Sequence, residues 1–472
     1  METSPFLIAA PTVPPLDPGF RPAVLTNRSF LAAVEASGRG TLLRLGLERP
    51  DGAISTFETT VFSDDSPQSG DNVAYVERLV KFLLWQRGAS RLLVGGPAGI
   101  ALHLQRIYSP EGSRAFDVDF MTRVYETPFT VRAIPAADVP NSDEPTVALG
   151  RHLEGNRIGF DLGASDYKVS AVVDGAAVYS DEFPWQPRDA TDPSYHYDHI
   201  TSGLRRAAEH LPRVDAIGGS SAGVWIDDRV RAASLFRGLS REDFDSQARD
   251  LFVRIKDEWN LPLHVVNDGE VTALAGSMSL GVNSVLGIAM GSSEAAGYVT
   301  ADGTISRWLN ELAFAPVDYQ PGAPADEWSG DVGCGVQYFC QTGVIRLATR
   351  AGIDLDEGST PAQKLAVVQD LMAAGDRRVP AIYRTIGVWL GYTLAHYADF
   401  YDVAHVLVLG RVTSGQGGEI IVAEARKILG DEFPELSIEL HVPDERMKRV
   451  GQSVAAASLP SIVERSPHAA DQ

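Results

Sequence analysis

Strands that alternate with helices predict an α/β protein with a largely parallel core. Three observations carry this expectation. Short apolar runs bounded by Gly, Asn or Asp recur at Arg91 to Gly95, Val214 to Gly219, His264 to Asp268, Val285 to Met290 and His405 to Gly410. Between them lie segments with apolar residues at helical spacing, such as Val73, Val76, Leu79, Val80, Phe82 and Leu83. The order strand, strand, helix, strand also occurs twice, at about 41–98 and about 157–223. That is either an internal repeat or the similarity that any two α/β segments share.

The elements follow in order. The first 22 residues hold six prolines and are expected to wander over the surface. Thr41 to Phe62 reads as a hairpin around Arg49-Pro50-Asp51-Gly52, and Asn72 to Gly88 as a core-facing helix. Glu144 to Asn156 is polar and suits a linker. Arg157 to Tyr179 gives two strands around Asp174-Gly175, followed by a helix from His199 to His210. After the strand at His264, a helix is expected from Gly269 to Met278, then a strand, the small-residue stretch Gly291 to Gly297, and another strand from Tyr298. A loop rich in Gly, Pro and Asp covers Val317 to Gly335. Helices follow at about Thr360 to Ala374, Val379 to Phe400 and Glu419 to Leu429, with a small-residue helix near Gly451 to Leu459.

Composition bounds the function. At about 100–200 residues per domain, 472 residues suggest two to four domains. Apolar residues are 44%, enough for real cores. A net charge of -21 argues against bulk-charge binding of nucleic acid, which needs clustered Lys and Arg. No apolar run reaches about 18 residues, so no membrane span is expected. Two cysteines cannot form a disulfide framework, and a reducing, cytoplasmic setting is the expectation.

Four stretches carry candidate chemistry. In Asp161-Leu162-Gly163-Ala164-Ser165-Asp166-Tyr167-Lys168, Gly163 lets backbone approach a ligand, and Ser165 and Lys168 could hold phosphate oxygens. Asp161 could position Mg²⁺ through water. An ordinary polar β-turn is the alternative. Asp268, after an apolar strand, suits a general base that takes a hydroxyl proton; capping of the following helix explains it equally well. Gly291, Ser292 and Ser293 offer amides and hydroxyls to a polyphosphate, although Glu294 in the same stretch would repel it. Gly410 and Thr413, in a strand-to-helix turn, leave room for a flat purine and ribose.

The order of these stretches, from about Arg157 to Pro460, resembles the actin-like ATPase and sugar kinase superfamily, and within it the ROK sugar kinases. FDLGASDYKVSAVVDG is similar to the first phosphate motif, and PLHVVNDGEVTALAG to the stretch with the catalytic Asp. IGGSSAGVWID is similar to the segment that joins the ATP halves, LGIAMGSSEAAGYVTADGTI to the second phosphate segment, and VLVLGRVTSGQGGEIIV to the adenosine segment. The resemblance implies two ribonuclease-H-like lobes with a cleft between them, at 151–265 (joined by a C-terminal helix at about 445–462) and 266–444. An N-terminal α/β module at 1–150 is then left over, for which a degenerate copy of the first lobe is one reading. The resemblance also implies ATP and Mg²⁺, a sugar substrate held by Asn267 and Glu311, and a homodimer.

Departures from the family pattern are concentrated at its zinc site and sugar site. The zinc-binding His falls on Phe314, and only Cys334 is in register, with Val332 and Phe339 at the other cysteine positions and Cys340 one place off. No structural zinc is expected, because zinc prefers four N/S ligands. The expected activity is ATP-dependent phosphorylation of a sugar hydroxyl with Asp268 as base. The alternative is a catalytically degenerate sugar- or nucleotide-binding sensor.

Overall fold

A computed structural model describes residues 5–144, 149–163, 166–442 and 451–462. The chain forms two compact units. Unit 1 contains residues 1–145, 289–295 and 307–442; unit 2 contains 146–288, 296–306 and 443–472. The N-terminal segment shares a compact unit with the stretch after residue 307.

In unit 1, helix α1 (Ala23–Ser37) leads into β1 (Gly40–Glu48) and β2 (Ile54–Phe62). These pair antiparallel around the expected turn, where Gly52 takes a positive φ of 86°. Helix α2 (Asn72–Arg87), β3 (Arg91–Gly95), α3 (Ala98–Ile107), α4 (Ala115–Tyr125) and β4 (Thr130–Ala133) complete a four-stranded sheet of order β2-β1-β3-β4. Helix α2 faces the core, as its apolar spacing indicates: Val76, Leu79, Val80, Phe82 and Leu83 are all buried.

The proline-rich N-terminus does not wander. Thr12 N–H donates to the Tyr392 hydroxyl (3.1 Å) and Leu16 N–H to the Thr385 hydroxyl (3.1 Å). Phe20 is buried among Tyr338, Trp389 and Tyr392. The segment turns twice, with Asp17 N–H donating to the Pro14 carbonyl and Phe20 N–H to the Asp17 carbonyl (both 3.1 Å), while other polar atoms find partners on a distant helix that sequence patterning could not foresee.

Unit 2 carries a five-stranded sheet of order β11-β8-β5-β6-β7. Its strands are β5 (Asn156–Leu162), β6 (Asp166–Val173), β7 (Ala176–Pro184), β8 (Ala216–Ser221) and β11 (Leu263–Asn267). The short pair β9 (Val224–Ile226) and β10 (Arg229–Ala232) stands beside it as a separate ribbon. Sequence reading expected two strands between Arg157 and Tyr179; the structure has three, β5 and β6 pairing antiparallel as separate strands. Strands β5, β8 and β11 are parallel, with α5 (Ser194–Ala208), the one-turn α6 (Arg241–Asp243) and α7 (Leu251–Trp259) in the connections. Successive side chains on a strand face opposite ways. Phe160 accordingly stacks on Phe252 of α7, while its neighbour Gly159 meets the C-terminal helix α13 (Gln452–Ala457). A Cβ on Gly159 would lie 1.9 Å from the Ser453 carbonyl oxygen, and one on Gly218 1.7 Å from that of Ala456. The sheet is thus covered on both faces, which suits its parallel strands.

The apparent repeat fails on strand direction. Strand β3 runs antiparallel to β1, whereas β8 runs parallel to β5. Element order alone did not carry that information, and the two sheets are not copies of one fold.

Helix α8 (Asp268–Leu280) precedes β12 (Val285–Met290) and β13 (Glu294–Val299), and the chain passes between the units within these two strands. The remainder of unit 1 holds α9 (Gln341–Arg350), α10 (Pro361–Ala373), α11 (Val379–Ala398), β14 (His405–Leu409), α12 (Gln416–Glu432) and β15 (Glu439–His441). Thr360 and Gln363 form a capping box at the start of α10. Among the described residues no helix is long and apolar enough to cross a membrane.

Candidate active site

The parallel strands of unit 2 bring their carboxyl ends into register. Asp161 lies opposite Ser220, which lies opposite Val266; in the next row stand Leu162, Ser221 and Asn267. Asp268 follows immediately as the first residue of α8. The carboxyl ends of parallel strands are where open α/β sheets place ligands.

Asn267, rather than Asp268, caps α8. Its Oδ1 accepts from Gly269 N–H (2.7 Å) and its Nδ2 donates to the Gly223 carbonyl (2.8 Å). The Asp268 carboxylate accepts from the same Gly269 N–H at 3.1 Å. The helix start is pressed backbone to backbone on β13: a Cβ on Gly269 would lie 2.2 Å from the Ala296 oxygen. Asp268 is thereby placed by rigid elements. Burial, and then the charge of Asp161, push its carboxyl up to about 6. Asp161 is also raised by burial, partly offset by the Ser220 hydroxyl that donates to its Oδ1 (2.6 Å) and by Lys168. Sequence reading gives Ser220 no role of its own, although it sits within the Gly-Gly-Ser-Ser run that ends β8.

The proposed phosphate contacts are largely engaged within their own segments. Gly163 N–H donates to the Asp166 carbonyl (3.0 Å). Lys168, opposite Asp161 on β6, has its Nζ 3.9 Å from both Asp166 and Glu182. Ser165 lies outside the described residues.

In unit 1, Gly291 N–H donates to the Ser293 carbonyl (2.9 Å), while Ser292 and Ser293 are exposed. Glu294 is not part of that turn. It is the first residue of β13, buried, and both of its carboxyl oxygens are without hydrogen-bond partners among the described residues. Burial, with Glu311 behind it, pushes its carboxyl up to about 8, so it is mainly neutral at pH 7. The repulsion that the sequence suggested is therefore weakened at source. Gly410 takes a φ of 104° and approaches Met290, and the Thr413 hydroxyl donates to the Gly410 carbonyl (2.9 Å). Glu311 donates its N–H to the Trp85 carbonyl (3.0 Å), which ties this segment to α2.

Phe314 stacks on Trp85 (4.3 Å between ring centroids) and contacts Phe116 and Phe120. Cys334 and Cys340 are buried free thiols, and burial pushes Cys334 up to about 12. The loop before Cys334 is held ionically. Asp331 receives Arg78 (2.8 Å), Arg114 (2.9 Å) and Lys81 (3.4 Å), and Lys81 also meets Asp117 (3.0 Å). Sequence reading gave these cations no role, because their carboxylate partner Asp331 lies more than 200 residues away along the chain.

No family model matches this sequence, and no curated protein matches it. Solved structures do. A ROK hexokinase from Thermus thermophilus is 18% identical, with 64% of this chain and 97% of that chain covered at a TM-score of 0.50. A ROK glucokinase from Streptomyces griseus, solved with glucose and AMPPNP, is 20% identical over 65% of this chain and 99% of that one (TM-score 0.49). A ROK transcriptional regulator, a homolog of the E. coli MLC protein, is 16% identical over 65% and 79% (TM-score 0.49). The likeness to the hexokinase shows that nearly two-thirds of this chain has the α/β fold of a ROK sugar kinase, with further chain added to it.

Proposed function

We propose that the chain transfers the γ-phosphoryl group of ATP to a hydroxyl of a sugar or sugar-like substrate. The observation that carries this reading is Asp268 itself: a carboxylate at the ends of parallel strands, fixed by a capped helix and raised to about 6 beside Asp161. Such a base is mainly ionised at neutral pH yet basic enough to accept a proton in the transition state. The hydroxyl oxygen bonds to the γ-phosphorus, the bond to the β-phosphate oxygen breaks, and the hydroxyl proton passes to Asp268. Asn267, engaged at both ends of its amide, acts by positioning Asp268, and Glu311 orients the substrate.

The paired carboxylates suit Mg²⁺, since oxygen donors with partial solvent access match an ion that keeps several waters. Asp161 would hold it, and the ion supplies charge neutralisation at the phosphates when bound. On this reading the exposed Ser292 meets a phosphate, Ser293, whose hydroxyl donates to the Glu294 carbonyl (3.4 Å), stands beside it, and Gly410 and Thr413 shape the nucleoside end.

One set of observations favours a second reading, a binding protein without turnover. The Gly163 and Gly291 amides and the Thr413 hydroxyl are satisfied locally, and Lys168 faces two carboxylates. ADP release measured across a sugar panel separates the two: a kinase turns over at least one sugar, and Asp268→Asn abolishes that turnover. Saturable sugar or nucleotide binding with no ADP release selects the second reading.

A further inference from the structure

Strands β14 and β15 pair in parallel, with His405 opposite Glu439 and Leu407 opposite His441. Glu439 and His441 are two apart on β15, so they share one face, and His405 stands beside them across the ladder. The geometry points to a divalent transition-metal site here, built by His405, Glu439 and His441. His405 Nδ1 lies 3.2 Å from His441 Nε2. Two nitrogens bound to one tetrahedral zinc at about 2.05 Å lie about 3.3 Å apart, so the imidazoles already stand at ligand spacing. Glu439 Oε2 is 3.7 Å from His405 Nδ1 and 3.9 Å from His441 Nε2. The Glu439 side chain is 73% exposed, against 20% and 24% for the imidazoles, so it is the ligand free to rotate inward by the remaining few tenths of an ångström. The nearby Arg426 guanidinium is engaged by the Leu440 carbonyl (2.6 Å).

Two nitrogens and one carboxylate oxygen select zinc-class ions and reject Mg²⁺ and Ca²⁺, which prefer all-oxygen sites. The fourth position is left to water. Strand β15 has only three residues, and the ion would fasten it to β14. This site does not depend on the kinase reading, and its test needs no substrate.

The competing account is a bare imidazole pair that shares one N–H. Calorimetric titration of Zn²⁺ and of Mg²⁺ into the full, chelator-treated chain decides between them. One equivalent of Zn²⁺ binds and Mg²⁺ does not compete for it. His405→Gln and His441→Gln each weaken Zn²⁺ binding by about a hundredfold, and Glu439→Gln by about tenfold, given that even partners of metal ligands are worth roughly 10–100-fold. Co²⁺ in place of Zn²⁺ shows the visible absorption of tetrahedral coordination, and each histidine variant loses it. No Zn²⁺ binding by the unmodified chain, or equal affinity in all three variants, overturns the site. Should a histidine variant lose its circular dichroism signature, the exposed Glu439→Gln variant decides the matter.

Discussion

Two pairs of acidic residues have opposite fates in the two units. In unit 2, Asp161 and Asp268 have Lys168 as the cation acting on Asp161, and that lysine is shared with Asp166 and Glu182. Both carboxyls are raised. In unit 1, Asp117 and Asp331 stand among Arg78, Lys81 and Arg114. There Asp331 is held well below the ordinary carboxylate range, because the three cations outweigh its burial. Burial alone therefore does not determine what a carboxylate becomes. With few cations it becomes a base of moderate strength; within a cationic cage it becomes a structural staple.

Substitutions at each pair test this contrast. The largest effect is expected for Asp268→Asn, which removes the base but keeps the shape. On the kinase reading, turnover falls by about 10²–10⁴-fold in a coupled ADP assay while the unfolding midpoint holds or rises, because repulsion with Asp161 is relieved. A variant with full turnover would sink that mechanism. Next comes Asp331→Asn, which leaves three buried cations under-compensated. A loss of about 3–5 kcal/mol in urea unfolding is expected, as for a broken buried pair; a change below about 1 kcal/mol would show that solvent screens the cage.

Glu294 sharpens the comparison as a carboxyl with no hydrogen-bond donor among the described residues. Its folded-state pKa, about 8, lies above the ordinary value of 4.5. Its contribution to stability is therefore complete below about pH 4.5 and is lost as pH rises toward 8. Glu294→Gln should flatten that part of the stability profile and, at pH 8, be more stable than the parent by roughly a few kcal/mol. Identical pH profiles would mean that water satisfies the carboxyl. The smallest effect is expected for Asn267→Ala, which removes the α8 cap and costs about 1 kcal/mol in thermal or urea unfolding. In the same variant, a fall in kcat larger than the rise in KM would confirm that Asn267 positions Asp268 instead of gripping substrate.

Much of the fold was legible from local pattern. The β1–β2 hairpin followed from Pro-Asp-Gly between two apolar-rich runs, and α2 from its apolar spacing. The strand-end position of Asp268 was equally readable, since an apolar run before Asn-Asp-Gly marks a strand-to-helix junction. Illegible was the cap, because Asn267 and Asp268 both suit that role, whereas Asp161 to Lys168 was readable as a polar turn even though the strand count around it was not.

The sequence by itself determined the α/β class, the β1–β2 hairpin, helix α2 and the place of Asp268 after an apolar strand, since these rest on near-neighbour propensity and periodicity; helices α1, α3, α4, α7 and α9 were not read from it. Only the tertiary structure decided that β3 runs against β1, that the first 145 residues pack with the chain beyond 307, that Arg78 and Lys81 are buried, and that Asp268 and Glu294 have raised pKa values. Strand direction, burial and charge state depend on groups far apart in sequence. Local spacing carries no record of which distant residue will stand beside a carboxylate.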